Sequence, residues 1–242
     1  MIKAVIFDLD GTLVQTEILK ARSYAEAVNK LTNGEVENHN VMNAFKDLVG
    51  LSRHEVAAGL ISLYHNNFIE KKLSQETLIK LLINTRLNIY DEMLSDKNIL
   101  KEYFCQYNLG LLDTVFKDQF LTGLATMSHC EQADKVLKFL EVRDKFKHVI
   151  TRDEVANGKP DPEIYIKMAE QLKVKPDEAI IIEDSVTGIK AAQNAGINIF
   201  AVTNSITKES VHQSKILPGK FIIDDPKFLK EKVYSFINLS KN

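Results

Sequence analysis

The sequence predicts an α/β fold, a parallel sheet with helices around it and an all-helical unit inserted near its start. Three observations carry this. Short apolar runs at Ala4 to Phe7 and Ala179 to Ile182 each lead directly into acidic residues, the pattern of strands buried on both faces. From about residue 97 onward strand-like and helix-spaced segments alternate, which implies right-handed crossovers and a parallel sheet. Between about residues 15 and 96 only helix spacing is found. The expected organisation is an α/β core made of 1–14 and 97–242, interrupted by a helical unit at 15–96.

In chain order, Ala4 to Phe7 is the first strand and ends at Asp8, Asp10 and Gly11. Ile18, Ala21, Tyr24, Ala25, Val28 and Leu31 then recur at helix spacing. A polar stretch, Thr32 to Asn40, separates this helix from a second one carrying Val41, Phe45, Leu48 and Val49 and stopped by Gly50. Ser52-Arg53-His54-Glu55 reads as a capping box that opens a third helix, and Ser74 opens a fourth, long one ending near Leu94. Residues Asn98 to Asn108 give no clear pattern. Leu111 to Lys117 is a short helix, Leu121 to Ala125 a strand, and Ser128 to Glu131 a second capping box before a helix with Val136 and Leu140. Lys147 to Ile150 is a short strand. Pro162 occupies the first position of the next helix, where no N–H is missed. After the strand Ala179 to Ile182, Asp184 or Ser185 caps a helix that Gly196 ends. Ile197 to Val202 is a strand, Phe221 to Ile223 an edge strand, and Pro226 to Ile237 a closing helix.

Composition narrows the class of protein. A formal net charge of -2 offers no basic field for nucleic acid or an anionic membrane surface. No apolar run approaches the ~20 residues of a membrane span, and the N-terminus does not read as a signal peptide. Cys105 and Cys130 stand far apart in no metal or redox spacing, which fits a reducing compartment, so a cytoplasmic location is expected. A chain of 242 residues buries enough surface to fold without staples.

Chemistry gathers at the strand ends. In an open parallel sheet, ligands sit beyond the carboxyl ends of the strands. Asp8 and Asp10 follow the first strand, Thr126 follows Leu121 to Ala125, Lys159 lies in the loop after Lys147 to Ile150, and Glu183 and Asp184 follow Ala179 to Ile182. Two unit charges ~4 Å apart at an effective dielectric of ~20 interact by roughly 4 kcal/mol. Four carboxylates in one cleft therefore need a cation, a proton or both. Lys159 and a divalent ion would offset most of that charge. The donors are hard oxygens with no His or Cys pair among them, which favours Mg2+ over Zn2+.

These residues carry a family resemblance. Asp8-Leu9-Asp10-Gly11-Thr12-Leu13 after a hydrophobic strand resembles the first motif of the haloacid dehalogenase superfamily. Thr126, Lys159 in Gly-Lys-Pro-Asp-Pro, and Glu183-Asp184-Ser185 with Gly188 and Ala191-Ala192 are similar to its second, third and fourth, in order. Taken singly, each has a plain structural explanation: a turn threonine, a solvated loop lysine, an acidic helix cap. Four in order at four strand ends do not. The resemblance covers nearly the whole chain. It implies a Rossmann-like core with a helical cap between the first two motifs, as in the β-phosphoglucomutase-like branch. It also implies Asp8 as nucleophile, Asp10 as general acid/base, Thr126 and Lys159 as phosphate-binding groups, and Mg2+ held by Asp8, by the backbone carbonyl of Asp10 and by Asp184. Glu183 is a ligand or an outer partner of one.

Residues of the helical unit bear on substrate. Branch members that are mutases place a His in the first cap helix, and here that position holds Lys20. Arg53, after Gly50-Leu51-Ser52, matches the branch's arginine, whereas the late lysine falls near Arg86-Leu87. With Thr12, which resembles phosphatases, these departures favour hydrolysis of a small phosphorylated metabolite over sugar-phosphate mutation. Lys20 and Arg53 are possible substrate contacts, His129 is a cap residue near the cleft, and Met127 and Cys130 are packing residues. An acidic residue at Asp10 sets the chain apart from dehalogenases proper and from phosphonatases. The alternatives are the mutase and a non-catalytic member that binds a phosphorylated ligand or a partner through its cap. Nothing in the sequence speaks to the oligomeric state.

Overall fold

The structure, a computed structural model, describes residues 1–48, 51–68 and 73–240. The chain divides into two compact units, Met1–Gln15 with Lys101–Asn242, and Thr16–Leu100.

The first unit is built on a six-stranded sheet of β1 (Ala4–Phe7), β2 (Leu121–Ala125), β3 (His148–Ile150), β4 (Ala179–Glu183), β5 (Asn198–Val202) and β6 (Ile222–Ile223), in the order β3-β2-β1-β4-β5-β6. Every pairing is parallel. The chain lays β2 and β3 on one side of β1, then crosses back to place β4 on the other. This reversal is the switch point where open α/β sheets bind ligands. Register makes that edge level. Phe7 pairs with Leu124 on one side and Ile182 on the other, so Asp8 and Glu183 emerge at one level and Thr126 one residue beyond it. The two central strands are buried along their whole length, as their unbroken apolar sequence requires.

The second unit holds α1 (Thr16–Leu31), α2 (Asn38–Phe45), α3 (Arg53–Leu63) and α4 (Gln75–Ser95), and its described residues contain no strand. Both halves of the capping box at α3 form: the Glu55 N–H donates to Ser52 Oγ at 3.3 Å and the Ser52 N–H to Glu55 Oε2 at 2.8 Å. Ser74 caps α4 by accepting from the Thr77 N–H. The apolar faces of the four helices, with Tyr24, Phe45, Leu60 and Leu82, make a core of their own. The expected stop of the second helix at Val49 and Gly50 lies outside the described residues.

The stretch without a sequence pattern becomes α5 (Lys97–Lys101), an isolated bridge between Phe104 and Val14, and the start of α6 (Gln106–Lys117), which begins earlier than Leu111. The remaining helices are α7 (Cys130–Leu140), α8 (Glu163–Leu172), α9 (Val186–Asn194), α10 (Lys208–Ser214) and α11 (Leu229–Leu239). Pro162 stands one position earlier than expected, at the cap of α8, where Asp161 Oδ1 accepts from the Glu163 N–H. Ser185, rather than Asp184, caps α9. Gly196, at φ +70°, follows that helix. α10 has no counterpart in the sequence reading, since Val211 is its one buried residue.

The expected capping box at Ser128 does not form. His129 is the cap position of α7 and gives no side-chain cap bond. The Cys130 N–H donates instead to Asp153 Oδ2 at 2.7 Å, and His129 Nδ1 lies 2.6 Å from Asp153 Oδ1. A carboxylate from another loop has taken the place of the local hydroxyl.

Candidate active site

The rim formed by β1, β2 and β4 carries the four groups of residues singled out in the sequence. Asp8 continues β1, and its N–H donates to the Ile182 carbonyl at 3.0 Å. Its carboxylate is buried, 5% exposed. Lys159 reaches it from the loop after β3. The ammonium is 2.6 Å from Asp8 Oδ1, 2.9 Å from Glu183 Oε1 and 3.3 Å from the Ala125 carbonyl, with the Tyr165 ring centroid 4.9 Å away.

Electrostatics follow from this crowding. Burial pushes the Asp8 carboxyl up to about 8; Lys159 pulls it down, but Glu183 and Asp10 push it up again. Burial works against the charge on Lys159, yet Asp8 and Glu183 outweigh it and hold the ammonium well above the usual lysine range. The lysine is therefore charged, and one lysine does not neutralise the carboxylates around it.

Glu183 and Asp184 stand in sequence but do different things. Glu183 Oε1 faces Lys159, with the Tyr165 hydroxyl at 3.5 Å. Its Oε2 accepts from the Asp184 N–H at 2.7 Å, the Ser185 N–H at 2.6 Å and Ser185 Oγ at 2.9 Å. Both oxygens are thus engaged by the protein. They also lie against Gly188, where a Cβ would overlap the carboxylate. Asp184 Oδ2 accepts from Asn204 Nδ2 at 2.8 Å. Its carboxylate lies against Gly11, whose φ of +83° and missing Cβ leave room for it.

Asp10 is oriented by hydroxyls. Its Oδ2 accepts from Ser128 Oγ at 2.7 Å and from Thr126 Oγ1 at 3.1 Å, while Thr126 Oγ1 itself accepts from the Ser128 N–H at 3.0 Å. This is where the Ser128 hydroxyl has gone in place of the helix cap.

The structure thus brings Asp8, Asp10, Thr126, Lys159, Glu183 and Asp184 to one rim. Asp8, Glu183 and Asp184 each offer a carboxylate oxygen within 4.8 Å of the others. An oxygen-only, buried donor set with excess negative charge fits a hard divalent cation. Lys20 and Arg53 belong to the helical unit. Lys20 pairs with Glu17 at 2.5 Å, and Arg53 is exposed at the first turn of α3.

Three contributors escaped the sequence reading. Asn204 lies two residues past β5, so the strand-end rule that found the others applied to it too. Ser128 reads in the sequence as a local helix cap. Tyr165 carried no signal, being one apolar-face residue among several on α8. Cys130, expected to pack, is exposed. Met127 is partly buried against the sheet core. Cys105 lines a cavity of about 300 Å³ with Gln15, Asn108 and Thr203, and burial pushes its thiol up to about 11, out of the range of a thiolate nucleophile.

The model of the haloacid dehalogenase-like hydrolase family matches residues 5–202. The chain is 30% identical over 205 residues to a phosphorylated carbohydrates phosphatase of Thermotoga maritima, covering 84% of this chain and 87% of that one. It is 26% identical to a validoxylamine A 7'-phosphate phosphatase of Streptomyces hygroscopicus, covering 90% of this chain and 93% of the relative. A crystal structure of a β-phosphoglucomutase from Clostridium difficile superposes with a TM-score of 0.64 at 25% identity, over 98% of this chain and 99% of the other.

Proposed function

The chain belongs to the haloacid dehalogenase-like hydrolase family and is a phosphoric monoester hydrolase; from that premise we propose that it is a Mg2+-dependent phosphatase for small phosphorylated metabolites, carbohydrate phosphates among them, working through an aspartyl-phosphate on Asp8. The observation that carries this reading is Lys159, buried between Asp8 at 2.6 Å and Glu183 at 2.9 Å, two carboxylates that each have an oxygen within 4.8 Å of one of a third, Asp184.

Asp8 and Asp184, with the Asp10 backbone carbonyl, would hold the ion. When bound, it supplies neutralising charge to the carboxylate cluster and to a phosphoryl oxygen. Glu183, with both oxygens engaged by donors of the chain, serves as a positioning residue that aims Lys159 rather than as a ligand. A carboxylate oxygen of Asp8 attacks phosphorus, forming the acyl phosphate as the bond to the leaving oxygen breaks. Asp10, protonated at that stage, gives its proton to the leaving oxygen. It then takes a proton from the water that attacks the acyl phosphate, which returns Asp8 as a carboxylate and releases inorganic phosphate. Ser128 keeps the Asp10 carboxyl in one orientation through both steps, and Thr126 does so until its hydroxyl turns to the substrate phosphate. Lys159 and the Thr126 hydroxyl are the phosphate contacts.

Asp8→Asn is expected to abolish Mg2+-dependent release of phosphate from an aryl phosphate while leaving the melting temperature in place; retained turnover defeats the assignment. Likeness to a β-phosphoglucomutase supports a second reading, phosphoryl transfer within a sugar phosphate. Hexose 1-phosphate converted to its isomer without inorganic phosphate would establish that one. A cytoplasmic setting belongs to the same proposal, supported by the free cysteines Cys105 and Cys130. Among the described residues no helix is long and apolar enough to cross a membrane.

A further inference from the structure

The side-chain amide of Asn204 joins the carboxylate cluster to the turn before α10. Its Nδ2 donates to Asp184 Oδ2 at 2.8 Å and, at 3.4 Å, to the Gly11 carbonyl. Its Oδ1 accepts from the Ile206 N–H at 2.9 Å and the Thr207 N–H at 3.1 Å. Two backbone donors on one end of the amide fix that end as the oxygen, so the NH2 end faces the carboxylate. The reverse orientation would set an oxygen against Asp184, and the turn forbids it.

Every carboxylate of the cluster thus has an oxygen taken by a nitrogen donor of the chain. Asp8 Oδ1 accepts from Lys159 at 2.6 Å, and Asp184 Oδ2 accepts from Asn204. Both oxygens of Glu183 are engaged. While these bonds last, Asp8 and Asp184 can each give an ion at most one oxygen. That restriction separates two common hard cations. Ca2+ takes about six to eight oxygens and readily grips a carboxylate by both, whereas Mg2+ holds to a near-octahedral shell, keeps several waters and uses few carboxylates. Lys159 is charged and also serves Glu183, so its removal changes the charge of the site. Asn204 is neutral. Replacing it changes how many oxygens Asp184 can offer and leaves the charge as it was.

We propose that Asn204 is a positioning residue that makes the metal site selective for Mg2+ over Ca2+, by keeping Asp184 to a single coordinating oxygen. The proposal rests on the reading of Asp184 as a metal ligand. Partners of this kind, one bond removed from the ion, commonly decide its affinity as strongly as the ligands themselves.

The test titrates the full chain calorimetrically with Mg2+ and, separately, with Ca2+, and compares the ratio of the two Kd values in the unaltered chain, Asn204→Ser and Asn204→Ala. A serine hydroxyl can still accept from the turn N–H groups but stops short of Asp184, whereas alanine loses both the turn and the bond. Ca2+ affinity relative to Mg2+ is expected to rise about tenfold or more in both variants. The melting temperature of metal-free Asn204→Ser should stay within about 4 °C of the unaltered chain. An unchanged ratio in Asn204→Ser, including equal weakening of both ions, overturns the proposal and leaves the Mg2+ reading standing. A ratio that moves only in Asn204→Ala traces the effect to the turn and also overturns it. Asp184→Asn should abolish the response to either ion. Binding retained in that variant, or no binding of either ion by the unaltered chain, removes the reading of Asp184 as a ligand and the proposal with it.

Discussion

The α/β unit and the helical unit each bury a cation, and they house it differently. Lys159 sits among two carboxylates, a carbonyl and one ring. Arg86 sits between two rings with its Nε unpartnered. The contrast comes from what each architecture brings together. Parallel strands in register deliver short acidic side chains to one level, so a lysine arriving from a loop finds anions. Helices deliver residues a turn apart on one face, so an arginine at position 86 meets the tyrosine at position 90. A charge matched inside the fold is committed to holding other groups.

Replacing each cation by methionine breaks the comparison most directly, and the lysine is the larger effect. Above pH 8, where Asp8 is ionised, Lys159→Met strands Asp8 and Glu183 without their counter-charge, so urea denaturation of the metal-free chain should there show a loss of about 3–5 kcal/mol. A loss near zero would mean that the carboxylates do not depend on it. Gly11→Ala comes next. Its positive φ of +83° and the overlap of a Cβ with the Asp184 carboxylate should together cost about 2 kcal/mol or more and weaken Mg2+ binding, read by calorimetry.

Titration sharpens the carboxylate side. With its carboxyl pushed up to about 8, chiefly by burial, Asp8 holds a proton below that pH in the metal-free chain. Proton and ion compete for the same oxygens, so apparent Mg2+ affinity should rise about tenfold per unit as pH climbs toward about 8 and level off above it. A flat profile would mean that the carboxyl is already ionised. Ser128→Ala removes one 2.7 Å bond to Asp10, for an expected fall in kcat of roughly tenfold and a change in melting temperature of no more than about 4 °C. Arg86→Met should be the mildest for stability, within about 1 kcal/mol, because the lost ring contacts are offset by relief of an unpaired buried charge. A loss as large as that of Lys159→Met would erase the distinction between the two cations.

Elements with a strong internal period were legible in the sequence. β1, β2 and β4 have the bounds expected to within a residue, and α1, α3 and α4 follow their apolar spacing and caps. The short helix α10, with one buried residue, has no period to detect. The bridge between Val14 and Phe104 joins positions too far apart for any local pattern.

Local chemistry thus determined the strand ends and, through them, the residues Asp8, Asp10, Thr126, Lys159, Glu183 and Asp184, because side-chain periodicity and acidic strand termini are written within a few residues. Only the tertiary structure decided how their hydrogen-bonding capacity is divided. A hydroxyl such as Ser128 or a carboxylate such as Glu183 has several partners within reach of its own neighbourhood, and which one it takes depends on groups that distant segments bring closer. Ser128 turned from a helix cap to Asp10, Glu183 turned to Lys159 and Ser185, and Asn204 reached Asp184 across the sheet edge. Arg86 met Tyr24 for the same reason: two helices had to pack before a buried charge acquired its surroundings.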